Sequence, residues 1–183
     1  MKIVGIRYFD TRLSLYQKPD SALLVNQKPF FVPDGMEGLC GHLCLVAKIS
    51  RLGKYISERY ASRYYEEMAV GVNVCADQMI DRLMAEGVLP TEAYAFDYSM
   101  IVGGFEKCRP DLFNLLEVGG RLFRKEALVL SMDEAVSRLS KTLTLRMGDM
   151  VAVDFVEESL PLVPDQTIEV RTDNHTALLC RIK

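Results

Sequence analysis

This sequence predicts an α+β fold, mostly strands with two or three short helices, and three observations carry that expectation. Residues 39–46 alternate: Leu39, Gly41, Leu43 and Leu45 share one side of an extended chain, and Cys40, His42, Cys44 and Val46 the other. Hairpin-type turn signals recur, at Gly119-Gly120 and at Asp173-Asn174-His175. A capping-box sequence, Ser131-Met132-Asp133-Glu134, opens a helix whose apolar side is Met132, Ala135, Val136 and Leu139.

In chain order, Lys2 to Tyr8 reads as an opening strand and Lys18-Pro19-Asp20-Ser21 as a turn. Ala22–Val25 and Phe30–Val32 read as a hairpin around Asn26-Gln27, ended by Pro33-Asp34-Gly35. The strand at 39–46 turns at Arg51-Leu52-Gly53-Lys54. A short helical segment follows from Ser57, its charges Arg59, Arg63, Glu66 and Glu67 expected as a solvated face of helical ion pairs. A second strand is expected from about Ala69 to Cys75, with Gly71, Asn73 and Cys75 on one face and Val70, Val72 and Val74 on the buried one. Asp77 is placed as the N-cap of a helix with Met79, Ile80 and Leu83 on its inner side, stopped by Gly87. Residues 112–130 form a hairpin about the Gly-Gly turn, and residues 167–182 a last one.

Composition narrows the function. At 183 residues and 49% hydrophobic, a single domain over residues 1–183 with its own core is the expectation. A net charge of −3 with interspersed signs makes no basic stripe, which argues against a nucleic-acid partner. The start, MKIVGIRYFD, is too polar for a signal peptide, and no apolar run of about 18 residues suggests a membrane span. Five cysteines, an odd number on apolar strands, point to reduced thiols and a cytoplasmic location.

Several segments together resemble one family. RLGKYISERYASRYY at 51–65 with VGVNVCAD at 70–77, KPDSALL at 18–24, KPFFVPD at 28–34, AFDYSMIVGGF at 95–105 and LTLRMGDMVAVDF at 143–155 are similar to the core motifs of the fumarylacetoacetate hydrolase family. The resemblance spans nearly the whole chain. It implies a mixed β-sandwich roll like that family's C-terminal domain, a homodimer, and a pocket for a small keto acid. The family binds Mg²⁺ or Mn²⁺ with a Glu-x-Glu pair and an Asp. Those positions fall here on His42, Cys44 and Asn73. The family's Gly-x-Asn-Tyr-x-x-His signature corresponds to Gly5–Thr11, keeping Tyr8 but placing Arg7 at Asn and Thr11 at His. Tyr94 stands at the family's lysine, and Val153, Asp154, Phe155 and Val156 at its Thr-Gly-Thr-Pro.

These changes lead to the expectations for the site. His42, Cys44 and Asn73 converge on one pocket, which Tyr8, Thr11, Lys18, Tyr94, Asp97 and Phe155 line. No catalytic residue is assigned. No metal is expected either, because the three positions offer no carboxylate to a hard divalent cation. Zinc at Cys40, His42 and Cys44 is disfavoured, since same-face strand residues lie about 7 Å apart, too far to fan easily onto one ion. The leading expectation is a catalytically degenerate, ligand-binding or regulatory protein. The alternative is an active hydrolase, decarboxylase or isomerase acting on a keto acid or acylpyruvate through a rebuilt site.

Overall fold

Alternating apolar residues need two surfaces to bury, and the chain supplies two sheets. The computed structural model describes residues 1–9, 12–25, 28–36, 38–156 and 159–183. Among these the strands are β1 (Lys2–Phe9), β2 (Arg12–Pro19), β3 (Leu23–Val25), β4 (Leu39–Ile49), β5 (Tyr65–Ala76), β6 (Met100–Val102), β7 (Glu106–Lys107), β8 (Leu115–Val118), β9 (Arg121–Arg124), β10 (Met150–Asp154), β11 (Leu160–Pro161), β12 (Thr167–Arg171) and β13 (Thr176–Arg181). The α-helices are α1 (Asp77–Ala85) and α2 (Met132–Thr142). The larger sheet runs β2-β1-β10-β4-β5-β6-β3, with β11 on β4 and β7 on β5; the smaller runs β13-β12-β8-β9. Only β1 with β10 and β3 with β6 pair in parallel within these sheets. The fold is α+β and mostly β, as expected.

The central pair, β4 and β5, is buried on both faces. Leu43, Leu45, Val70, Val72 and Val74 join the main core with Val136 and Leu139 of α2 and with Leu116, Phe123 and Val170 of the smaller sheet. The opposite face carries its own apolar cluster, in which Cys44, Val46 and Ala69 pack with Ile3, Tyr16, Met100 and Ala152. This second layer forms because β1, β2, β6 and β10 flank the pair and turn their side chains over it. The functional residues lie in that layer.

Helix α2 starts as its sequence dictates: Ser131 Oγ accepts from the Glu134 N–H at 3.2 Å, and Glu134 Oε2 accepts from the Ser131 N–H at 2.9 Å. The β8–β9 hairpin turns on Gly119 and Gly120 at φ +56° and +80°, values that suit the twist of a two-residue hairpin and that glycine adopts without strain.

Four local expectations are corrected. Lys18 and Pro19, expected in a turn with Asp20 and Ser21, instead end a full strand, β2, which pairs antiparallel with β1 from Lys2↔Pro19 to Phe9↔Arg12, and the turn begins at Asp20. The two arms of the expected hairpin pair elsewhere: β3 pairs with β6, and Phe30 bridges Ile182. The proposed turn residues Asn26 and Gln27 lie outside the described residues. Glu66 and Glu67 belong to β5, which begins at Tyr65, so they face Arg51 and Lys48 rather than Arg59 and Arg63. Both of those arginines lie against the Tyr60 ring, at 4.5 and 4.8 Å. Finally, Asp77 is the first helical residue of α1, and Ala76 is the N-cap. Among the described residues no helix is long and apolar enough to cross a membrane.

Candidate functional site

Strand parity and register assemble the site. On β4 and β5, Cys40 faces Cys75, His42 faces Asn73 and Cys44 faces Gly71. The next strand, β10, pairs antiparallel with β4 and puts Asp154 opposite Cys44. Beyond β10 on the same side, β1 brings Arg7 and β2 brings Tyr16 and Lys18. Tyr16 reaches the centre because its register partner is Gly5. A Cβ on Gly5 would stand 2.1 Å from the Tyr16 ring, so only glycine lets that ring lie across β1.

Asp154 is the inner hub. It is fully buried, and its two oxygens accept from Tyr16 Oη and from Asn73 Nδ2, each at 3.0 Å. Burial pushes its pKa up, while Arg7 and the two hydrogen bonds pull it down. The same burial, with Asp154 beside them, holds the Tyr16 phenol and the Cys44 thiol well above their ordinary values. Lys18 has no exposed surface, and its Nζ donates to the carbonyls of Val74 at 2.9 Å and Ser99 at 2.8 Å. Desolvation lowers it from the ordinary 10.5 to about 8.

The outer group is His42, Cys75, Asp77 and Arg7. His42 Nε2 lies 2.8 Å from Asp77 Oδ2. An ionised carboxylate only accepts, so Nε2 carries the proton toward Asp77. Asp77 stands below the ordinary carboxylate range: burial opposes that, and the His42 hydrogen bond and the Arg7 charge overcome it. The Arg7 guanidinium spans the group, with Nη1 3.2 Å from Cys75 Sγ and Nη2 3.2 Å from His42 Nε2. Asp77 Oδ1 lies 3.5 Å from both terminal nitrogens. Beside Arg7 opens a cleft of about 220 Å³ between β1–β2 and α1 with the turn after it, walled by Phe9, Leu15, Ile80, Met84 and Leu89, with Tyr94 and Tyr16 also lining it.

The three positions that the resemblance assigns to carboxylates offer a hard divalent cation no anionic oxygen. His42 and Cys44 bring nitrogen and sulfur, and the oxygen of Asn73 accepts from the Cys75 thiol at 3.5 Å. His42, Cys75 and Asp77 do place one ligand atom each within 4.8 Å of one another, a set that suits a borderline ion by type. The Arg7 guanidinium, however, already lies against all three.

Of the residues expected at the pocket, the structure places His42, Cys44, Asn73 and Lys18 in this layer, and Tyr94 on the cleft wall. Three sit elsewhere. Tyr8 has the opposite parity to Arg7 on β1 and is 42% exposed. Phe155, one residue past Asp154, turns into the main core, edge-on to Phe123 at 5.7 Å between centroids. Asp97 is exposed in the loop before β6. Thr11 lies outside the described residues. The site residues absent from the expected pocket are Arg7, Tyr16, Cys75, Asp77 and Asp154. Parity on β5 already set Cys75 on the Asn73 face, and parity on β1 would have found Arg7; Tyr16 and Asp154 depend on registers that only the fold sets.

No family model matches the chain. It is 29% identical over 146 residues to the mitochondrial oxaloacetate tautomerase FAHD1 of Bos taurus, covering 75% of this chain and 66%, just under two thirds, of the bovine protein. The same-named Mus musculus protein is 25% identical over 178 residues, 92% of this chain and 80% of the mouse one. Among solved structures, a protein from Yersinia pestis CO92 assigned to the fumarylacetoacetate hydrolase family superposes with TM-score 0.88 at 21% identity, over 100% of this chain and 92% of that one. Fumarylpyruvate hydrolase from Pseudomonas aeruginosa, solved with Mn²⁺ and pyruvate, gives 0.82 at 22% identity over 99% and 88%. The 2-hydroxyhepta-2,4-diene-1,7-dioate isomerase of Mycobacterium marinum gives 0.81 at 20% identity, over 99% and 73%. This chain has, over its whole length, the fold of the fumarylacetoacetate hydrolase family.

Proposed function

We propose that the chain is a catalytically degenerate member of this scaffold, a binder of small organic acids that works without the three-carboxylate divalent centre. One observation carries the reading. The three ligand positions are engaged in the protein's own contacts: His42 with Asp77, Asn73 with Asp154 and Cys75, and Cys44 sealed in the apolar layer. A metal in this chemistry supplies Lewis acidity and a lowered water pKa, and neither is replaced by a neutral amide or thiol. The test is metal content of the purified protein, with turnover of acylpyruvates and oxaloacetate in EDTA and with added Mg²⁺ or Mn²⁺. Turnover abolished by EDTA and restored by either ion would refute the reading.

A second reading, an active enzyme with a rebuilt site, is favoured by the His42–Asp77 contact beside the cleft. Keto–enol interconversion needs only a proton taken from carbon and one returned to oxygen, or the reverse, and the matched relatives are named tautomerases. Faster decay of enol-oxaloacetate in EDTA, lost in His42→Asn, would select it. All five cysteines are free thiols, which supports a reducing, cytoplasmic setting. Homodimer assembly, implied by the resemblance, is read by light scattering.

A further inference from the structure

We infer that Arg7 is this chain's built-in cation, and that its guanidinium binds the carboxylate of a short-chain monocarboxylate whose apolar tail lies in the neighbouring cleft. The inference rests on the proposed absence of a divalent centre and adds the ligand class.

The first support is where the charge sits. Arg7 stands over His42 Nε2, Cys75 Sγ and Asp77 Oδ1, on three residues that each offer a ligand atom within 4.8 Å of the others. A guanidinium there supplies positive charge with no need of a metal.

The second is that this guanidinium is under-bonded. Charge-assisted contacts normally close to about 2.7–2.9 Å. Asp77 lies 3.5 Å from both terminal nitrogens because its other oxygen is drawn 2.8 Å to His42. The other contacts are a thiol, which is a weak acceptor, a ring nitrogen that is itself a donor toward Asp77, and the Phe9 ring at 5.9 Å. Nε donates to the Tyr8 carbonyl at 3.3 Å. Arg7 therefore holds a largely desolvated positive charge, its side chain only 13% exposed, and among the described residues its anionic partner is Asp77, at 3.5 Å. It lines the wall of the cleft.

The third is the cleft's composition. Beyond Arg7 the wall is mostly apolar, with Phe9, Leu15, Ile80, Met84 and Leu89; the polar Ser14, Tyr16, Thr91 and Tyr94 among them are uncharged, and no Lys, His or second Arg of the described residues lines it. A dicarboxylate would bury its second charge against carbon, which is costly without a partner. A ligand with one carboxylate and an apolar chain matches both ends.

The experiment is calorimetric titration in EDTA with hexanoate, adipate and hexanamide, which share a chain length and differ in charge. Hexanoate is expected to bind, and adipate and hexanamide at least tenfold more weakly. Arg7→Gln is expected to lose at least tenfold in hexanoate affinity, with Arg7→Lys intermediate. Because Arg7 is packed against three side chains, a second variant guards against misfolding. Leu89 is 83% exposed at the cleft mouth, so Leu89→Asp should fold normally and weaken hexanoate through charge repulsion. Hexanamide or adipate binding as tightly as hexanoate, no hexanoate binding at millimolar concentration, or an indifferent Leu89→Asp would each overturn the inference. None of these outcomes touches the metal-free reading. Binding of hexanoate that appears only on adding Mg²⁺ or Mn²⁺ would overturn both.

Discussion

Replacing Lys18 by Met should change how stability depends on pH in the alkaline range. In the folded protein the ammonium is fully buried against two backbone carbonyls, and desolvation lowers its pKa from 10.5 to about 8. The unfolded chain keeps the ordinary value. Below pH 8 both states hold the proton, and the fold bears the full cost of the buried charge. Between about 8 and 10.5 the unfolded state binds more protons than the native one, so this group makes stability rise with pH. The gap between the two values corresponds to about 3 kcal/mol. Burial also holds the neighbouring thiols of Cys44 and Cys75 above their ordinary values. Urea unfolding followed by circular dichroism at intervals from pH 7.5 to 10.5 gives the free energy for both proteins, and groups elsewhere cancel in the difference. The wild-type minus Lys18→Met value should climb by about 3 kcal/mol across the window. A flat difference would show that water reaches Lys18, and that the second layer over β4–β5 is not dry.

Other perturbations test the packing and the site. Leu45 is wholly buried in the main core, so Leu45→Ala should cost about 2–5 kcal/mol in chemical denaturation; an unchanged midpoint would mean a one-residue slip of β4. Gly5→Val would drive the Tyr16 ring off β1 and break its hydrogen bond to Asp154. Its stability loss should largely vanish in a Tyr16→Ala background, and full additivity would refute the contact. Ser131→Ala removes the cap of α2 and should cost about 1 kcal/mol in a thermal melt. On the acid side, Asp77 is held below its ordinary pKa, so its share of stability is present at neutral pH and lost as pH falls through the folded value. His42→Ala, which removes the main cause, should shrink that acid-side loss.

Local chemistry determined much of this protein on its own. Alternation at 39–46 and 69–75 placed Leu43, Leu45, Val70, Val72 and Val74 in the core, because side-chain direction along a strand has a period of two whatever the partner. The α2 cap and the Gly119-Gly120 turn were equally legible, since their hydrogen bonds and backbone angles close within a few residues. The site was not legible in this way. It draws Arg7, Tyr16, Lys18, His42, Asn73, Cys75, Asp77 and Asp154 from β1, β2, β4, β5, α1 and β10. Which residues meet there depends on strand order and register: β10 lying between β1 and β4 is what sets Asp154 opposite Cys44 and within reach of Tyr16. No local pattern encodes a pairing between residues 138 apart in sequence. Parity also decided between neighbours, sending Asp154 into the site and Phe155 into the core. The resemblance read from the sequence therefore implied carboxylates missing from β4 and β5, and only the tertiary structure showed that an acid from β10 and a guanidinium from β1 lie beside those places.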